Sequence, residues 1–201
     1  YHFEMHVSLF HEMYPKLAGQ YQNVKEKLLP VDGTVCQFAF TPEDFYVFAL
    51  AHAYKHYNGS GTGVRTLADF YVMNHHLGGI MNRDEVKQKL TRLGIAEYEQ
   101  HSRVLAEKLF SGARPLPEIE LNTDEKEMLR FYCDATTYGT IDNQIQNRLH
   151  ELQGNAEGIT LRTKLKYCCA RLFPGREFCK YYYPFVYHHL WLLPFFWVWR
   201  I

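Results

Sequence analysis

Thr41-Pro42-Glu43-Asp44 opens the stretch that decides the fold. It runs on as Phe45-Tyr46-Val47-Phe48-Ala49-Leu50-Ala51-His52-Ala53-Tyr54-Lys55-His56-Tyr57 and closes on Asn58-Gly59-Ser60-Gly61. The Thr41 hydroxyl is a helix N-cap, Pro42 suits the first helical position, and Glu43 and Asp44 fall where the helix dipole favours acids. A helix is expected to about Tyr57. A second, from about Gly63, carries Val64, Leu67, Ala68 and Tyr71 on one stripe, so the pair reads as a helical hairpin joined by a Gly-rich loop.

Downstream, capping residues and apolar spacing predict helices from Asn82 to Leu93, Ala96 to Phe110, Thr123 to Asp134, Ile141 to Leu152, and from after Gly158 to Phe173. Ala113 to Glu120, with two prolines, reads as a loop between helices. Pro174-Gly175 breaks the last helix, and an aromatic tail follows from Tyr181 to Ile201. The tail's apolar run Leu190 to Val198 is far shorter than the ~20 residues needed to span a bilayer. It is expected to pack back on the helical core; docking on a membrane surface and dimerisation are the alternatives.

Upstream, His2, Glu4, His6 and Ser8 alternate with Phe3, Met5, Val7 and Leu9, which predicts a strand over residues 1–10. A second short strand is expected from Val35 to Phe40, after the turn signal Pro30-Val31-Asp32-Gly33, and Tyr14 to Leu29 could hold a short helix. A strand needs partners, and few are visible. The expectation is therefore a predominantly helical α+β chain whose sheet residues lie at 1–40 and whose helical domain runs over 41–201, with a further sheet-forming segment upstream. On this reading the chain holds no complete catalytic centre by itself.

The 22 Lys+Arg balance the 22 Asp+Glu, so no global field draws nucleic acid or an anionic membrane, and a charged ligand must be met locally. No nucleic-acid partner is expected. Aromatic residues at 16% exclude a disordered linker. Five cysteines, with no CxxC spacing, read as reduced, buried thiols of a cytoplasmic protein.

His52 and His56 share a helix face, a spacing that metal sites use. Position 53 is Ala53 where a zincin helix needs Glu, and Lys55 repels a cation. An anion suits these residues better: Lys55 and His56 end one helix, the loop Gly59 to Gly63 follows, and Arg65 opens the next. Amides of such a loop, flanked by cations, can hold phosphate oxygens. An i,i+4 pair between Arg65 and Asp69 on a solvated hairpin is an equal alternative.

Several motifs, in order, resemble a bacterial family of largely uncharacterised nucleotidyltransferases. They are Glu4-Met5-His6, Thr41-Pro42-Glu43-Asp44, Ala51-His52-Ala53-Tyr54-Lys55-His56, Gly61-Thr62-Gly63-Val64-Arg65-Thr66-Leu67-Ala68-Asp69, Tyr138-Gly139-Thr140, Leu172-Phe173-Pro174 and Leu193 to Ile201. The resemblance implies a fold related to DNA polymerase beta, with a small mixed sheet bearing three acids and then a helical domain. It implies transfer of a nucleoside monophosphate from an NTP to a hydroxyl acceptor, with magnesium as cofactor. Glu4 looks like the third acid, a catalytic and metal-binding residue, and the first two would lie upstream. Lys55, His56, Arg65 and His52 would then face the nucleotide. A non-catalytic helical binding or scaffold module is the alternative function.

Overall fold

The computed structural model describes residues 9–10, 14–112, 118–135, 139–154 and 159–200. Contacts divide the chain into two compact units, Tyr1–Thr140 and Ile141–Ile201. The fold is α+β and predominantly helical.

In the first unit, α1 (Pro15–Gln20) and a 3₁₀ turn (Val24–Lys27) lead into a two-stranded antiparallel sheet, β1 (Leu28–Pro30) and β2 (Phe38–Phe40). Leu28 lies opposite Phe40 and Pro30 opposite Phe38. The strand expected from Val35 is shorter, because the loop is tied to itself: the Thr34 N–H and hydroxyl both donate to the Val31 carbonyl, at 3.2 and 2.7 Å. The ladder closes only when the Val31 N–H reaches the Gln37 carbonyl at 2.9 Å. β1 falls where a short helix or a turn was expected; Pro30, which lacks a donor, sits at its end, the place a sheet edge tolerates. The strand expected over residues 1–10 lies outside the described residues for its first eight positions.

Five helices follow: α2 (Pro42–Tyr57), α3 (Arg65–Leu77), α4 (Arg83–Leu93), α5 (Ala96–Phe110) and α6 (Thr123–Asp134). Thr41 caps α2 by accepting the Asp44 N–H at 3.1 Å. Asn82 caps α4, and Asn122 and Glu125 form a reciprocal capping box on α6. α3 packs on α5 and α2 on α4. Tyr46, Val47, Leu50 and Ala51 of α2, Leu67 and Phe70 of α3, Leu90 of α4, Leu105 of α5 and Tyr132 of α6 close one core. Each buried leucine there contributes roughly 1.5–3 kcal/mol.

The second unit holds α7 (Ile141–Gln153) packed on α8 (Leu161–Leu172), then α9 (Arg176–Tyr182), α10 (Pro184–His188), a 3₁₀ turn (Leu190–Leu192) and α11 (Leu193–Arg200). The prolines of the tail begin helices rather than ending them. Pro184 is the first residue of α10 and Pro194 the second of α11, positions where the missing N–H costs nothing. The tail packs by one side only: Phe196 is buried against Tyr183, and the Trp197 indole donates to the Pro174 carbonyl at 3.1 Å. Trp191, Phe195, Val198 and Trp199 are exposed, which corrects the expectation of a strip laid wholly on the core.

The cysteines are free, and only Cys179 is buried. Cys36, Cys133, Cys168 and Cys169 are exposed, contrary to the expectation of buried thiols. In α6 the inward position belongs to Tyr132, which turns its neighbour Cys133 outward. In α8 the buried residue is Thr163.

Candidate functional site

Along α2, residues four apart stand one above the other, and Phe48, His52 and His56 form such a column. The His52 ring lies 6.1 Å from Phe48 and 4.7 Å from His56, centroid to centroid. Phe10, Tyr21 and Phe40 all pack on Phe48, at 5.9, 5.7 and 5.7 Å. The segment before α2 is thus fastened one helical turn from His52. Lys55 sits half-buried in the last turn of α2, where the dipole favours a cation. The His56 ring keeps an exposed edge, but its packed side loses water, and that desolvation, with the Lys55 ammonium beside it, lowers its pKa.

The loop after α2 turns back on the helix end. The Gly59 and Gly61 N–H groups both donate to the His56 carbonyl, at 3.0 and 2.9 Å. Gly61 is buried with φ +96, a backbone that a side chain would strain. These two amides therefore close α2, and an anion at this loop would be met by side chains instead. The Thr62 and Thr66 hydroxyls share a hydrogen bond of 2.7 Å across the start of α3. Arg65 reaches Asp69 at 3.9 Å, with the two side chains 87% and 60% exposed. So loose a pair is worth at most about 0.5 kcal/mol and leaves the guanidinium open to another anion.

The loop is also held from a distance. The Thr140 N–H donates to the Ser60 carbonyl at 2.8 Å, and Gly139 adopts φ +76 against it. A Cβ on Gly139 would stand 2.3 Å from the Ser60 carbonyl oxygen. Two motifs that the sequence showed separately, the Gly-rich loop and Gly139-Thr140, thus meet. Only their glycines hinted at it.

Two polar clusters behind the hairpin were not singled out from the sequence. Asp44, 8% exposed, accepts from Lys89 at 2.8 Å, with Lys27 at 4.0 Å, and Lys89 also meets Glu85 at 2.7 Å. Burial works against the Lys89 ammonium, but these carboxylates outweigh it and raise its pKa. Second, the Tyr46 hydroxyl and Arg103 both donate to Glu99, at 2.9 and 2.8 Å. Glu99 and Arg103, with Arg83, Lys87, Glu97 and Gln100, line a groove of about 680 Å³. Its mixed charges suit a small polar solute rather than an apolar one. The i,i+4 pairs Arg83 with Lys87 and Glu99 with Arg103 were the available signal.

Glu4 lies outside the described residues. Among the described residues no three His, Cys, Asp or Glu side chains group so as to hold a metal ion.

The first unit is thus a set of helices in which a glycine-jointed hairpin carries Lys55 at the end of one helix and Arg65 at the start of the next, beside a small antiparallel sheet. The family model described as uncharacterised nucleotidyltransferase matches residues 1–111, more than half of the chain, and the chain belongs to that family. The match spans the hairpin and the groove, whereas Gly139-Thr140 and the aromatic tail lie beyond it. No curated protein and no solved structure matches the chain.

Proposed function

We propose that the protein serves nucleotidyl transfer, carrying a nucleoside monophosphate from an NTP to a hydroxyl acceptor. Residues 1–40 close the sheet domain on this reading, and the helical domain begins at Thr41. What supports it above all is the family match over the hairpin that presents Lys55, His56 and Arg65. Lys55 and Arg65 neutralise the triphosphate, Arg65 exchanging its loose hold on Asp69 for phosphate oxygens. His56, its pKa lowered in the free protein, spares Lys55 a second positive charge until an anion arrives, and the His52 ring meets it edge-on. Catalysis then needs charge neutralisation where the transferring phosphorus develops charge, which is what the two cations contribute. Glu4 is assigned as the acid that binds magnesium and assists the acceptor; in support, Phe10, six residues on, packs on Phe48, one turn from His52. Magnesium, where bound, would clamp the triphosphate.

Isothermal titration of the chain with ATP, GTP, CTP and UTP, each with magnesium, tests the reading. Heat is expected with at least one of them, lost in Lys55→Ala. Silence with all four leaves the scaffold alternative as the better account.

A further inference from the structure

The balanced total charge hides a division along the chain. From Ile159 to Arg200 there are seven basic residues, Arg162, Lys164, Lys166, Arg171, Arg176, Lys180 and Arg200, against Glu177 alone. The preceding residues carry the matching acidic excess. With no global field, the charge is local, and residues 159–200 carry a basic excess.

The same stretch bears an apolar ridge. On α11, Phe195, Val198 and Trp199 follow helical spacing of three and four, and Trp191 lies one turn before them. They are 68%, 77%, 73% and 70% exposed, while Phe196 and Trp197 hold the opposite side of the helix to its own unit. Between Lys180 and Arg200 the sequence has no charged residue. Cations therefore bracket the ridge in sequence without interrupting it: Lys180 is exposed, while the Arg200 guanidinium lies over the Phe178 ring at 4.8 Å. An eight-residue helix is about 12 Å long, too short to cross a bilayer, and no described helix is long and apolar enough to do so.

We propose that this ridge docks on an anionic lipid surface, with the tryptophans at headgroup level and the exposed lysines and arginines of the same stretch against lipid phosphates. Charge selects this occupant over the others. A second copy of the chain would bring two basic surfaces together, and like charges repel. A nucleic acid would need cations interleaved with the aromatics to follow its phosphates, and here they are segregated. Tryptophan with tyrosine on a short amphipathic segment is the composition that an interface stabilises, and basic neighbours add attraction that salt removes.

The test uses the whole chain with vesicles of phosphatidylcholine, alone or with one third phosphatidylglycerol. Co-sedimentation with the anionic vesicles only, a blue shift of tryptophan emission and release by high salt are expected. The combined variant Trp191→Ser, Phe195→Ser and Trp199→Ser should bind roughly tenfold or more weakly. These side chains are exposed, so its circular dichroism and melting temperature should hold. Lys164→Glu with Lys166→Glu, on the exposed side of α8, should weaken binding while leaving the emission shift of the bound protein intact. Failure to sediment with either vesicle, or equal sedimentation of the triple variant, overturns the proposal. So does a dimer in light scattering that the triple variant dissolves, or retention on single-stranded RNA without retention on vesicles.

Discussion

The backbone N–H of Thr140 is hydrogen-bonded to the carbonyl of Ser60 at 2.8 Å, joining residues eighty apart in sequence. The bond fixes the middle of the Gly-rich loop from outside, so the direction in which Lys55 and Arg65 are presented depends on a segment far from both in sequence.

Gly139 is the weak point of this latch. Gly139→Ala would bring both a left-handed backbone and a Cβ at 2.3 Å from a carbonyl oxygen. Gly112 has φ +70 but nothing within 4 Å, so Gly112→Ala carries the backbone strain alone, about 1 kcal/mol. Gly139→Ala should cost about 1–2 kcal/mol more in denaturant unfolding and speed amide exchange in the loop. Equal losses in the two variants would show that the latch contributes nothing.

Asp44 should be the costliest single polar residue of the first unit. It is 8% exposed and holds the Lys89 ammonium at 2.8 Å, so Asp44→Asn leaves a largely covered lysine, its side chain 16% exposed, with Glu85 as its near partner. A loss of about 2 kcal/mol is expected. In a double-mutant cycle with Lys89→Met, a coupling of about 1 kcal/mol or more should appear. Strict additivity would mean that the pair is not formed in solution.

The buried tyrosines predict the alkaline limit of the fold. Desolvation is the largest cause in each: it pushes Tyr132 up to about 12 and Tyr21, Tyr46 and Tyr98 higher. A tyrosine raised in the folded state contributes stability that is present below its unfolded value of about 10 and lost as pH rises through the folded value. Tyrosinate absorbance should therefore show these rings silent near pH 10 and ionising together with unfolding. Tyr132→Phe, which also removes the bond to Tyr98 at 3.0 Å, should cost about 1 kcal/mol at neutral pH. Smooth titration of every tyrosine near pH 10 without unfolding would contradict this burial.

What the sequence made legible followed from local rules. Thr41-Pro42 marked the start of α2, and Ala96 and Phe110 bounded α5, because caps and apolar spacing act within a few residues. What stayed hidden needed distance or context. β1 is three residues long, too short for any periodicity to show, and β2 occupies only the last three positions of the strand expected from Val35 to Phe40. Pro184 and Pro194 can stop a helix or start one, and only the neighbouring packing decides which. Of the site, the column His52–His56 and the pair Arg65–Asp69 were readable from spacing. The Ser60–Thr140 bond and the Asp44–Lys89 pair were not, since nothing local couples residues so far apart.

His56 ties the proposed anion site to pH. In the free protein, desolvation and Lys55 hold its pKa below the ordinary value of about 6.5. A bound triphosphate offsets Lys55 and favours the imidazolium, so the pKa rises on binding and the complex takes up a proton. Affinity should therefore increase as pH falls through the bound-state pKa and level off below the free one. Titrations in buffers of different ionisation enthalpy should show that uptake, and His56→Gln should abolish it. Lys55→Ala should weaken binding about tenfold, or roughly 1.4 kcal/mol, throughout the range. A free His56 that titrates at or above its ordinary value by NMR, or nucleotide affinity indifferent to pH, would remove His56 from the site while leaving Lys55 and Arg65 to be judged by their own variants.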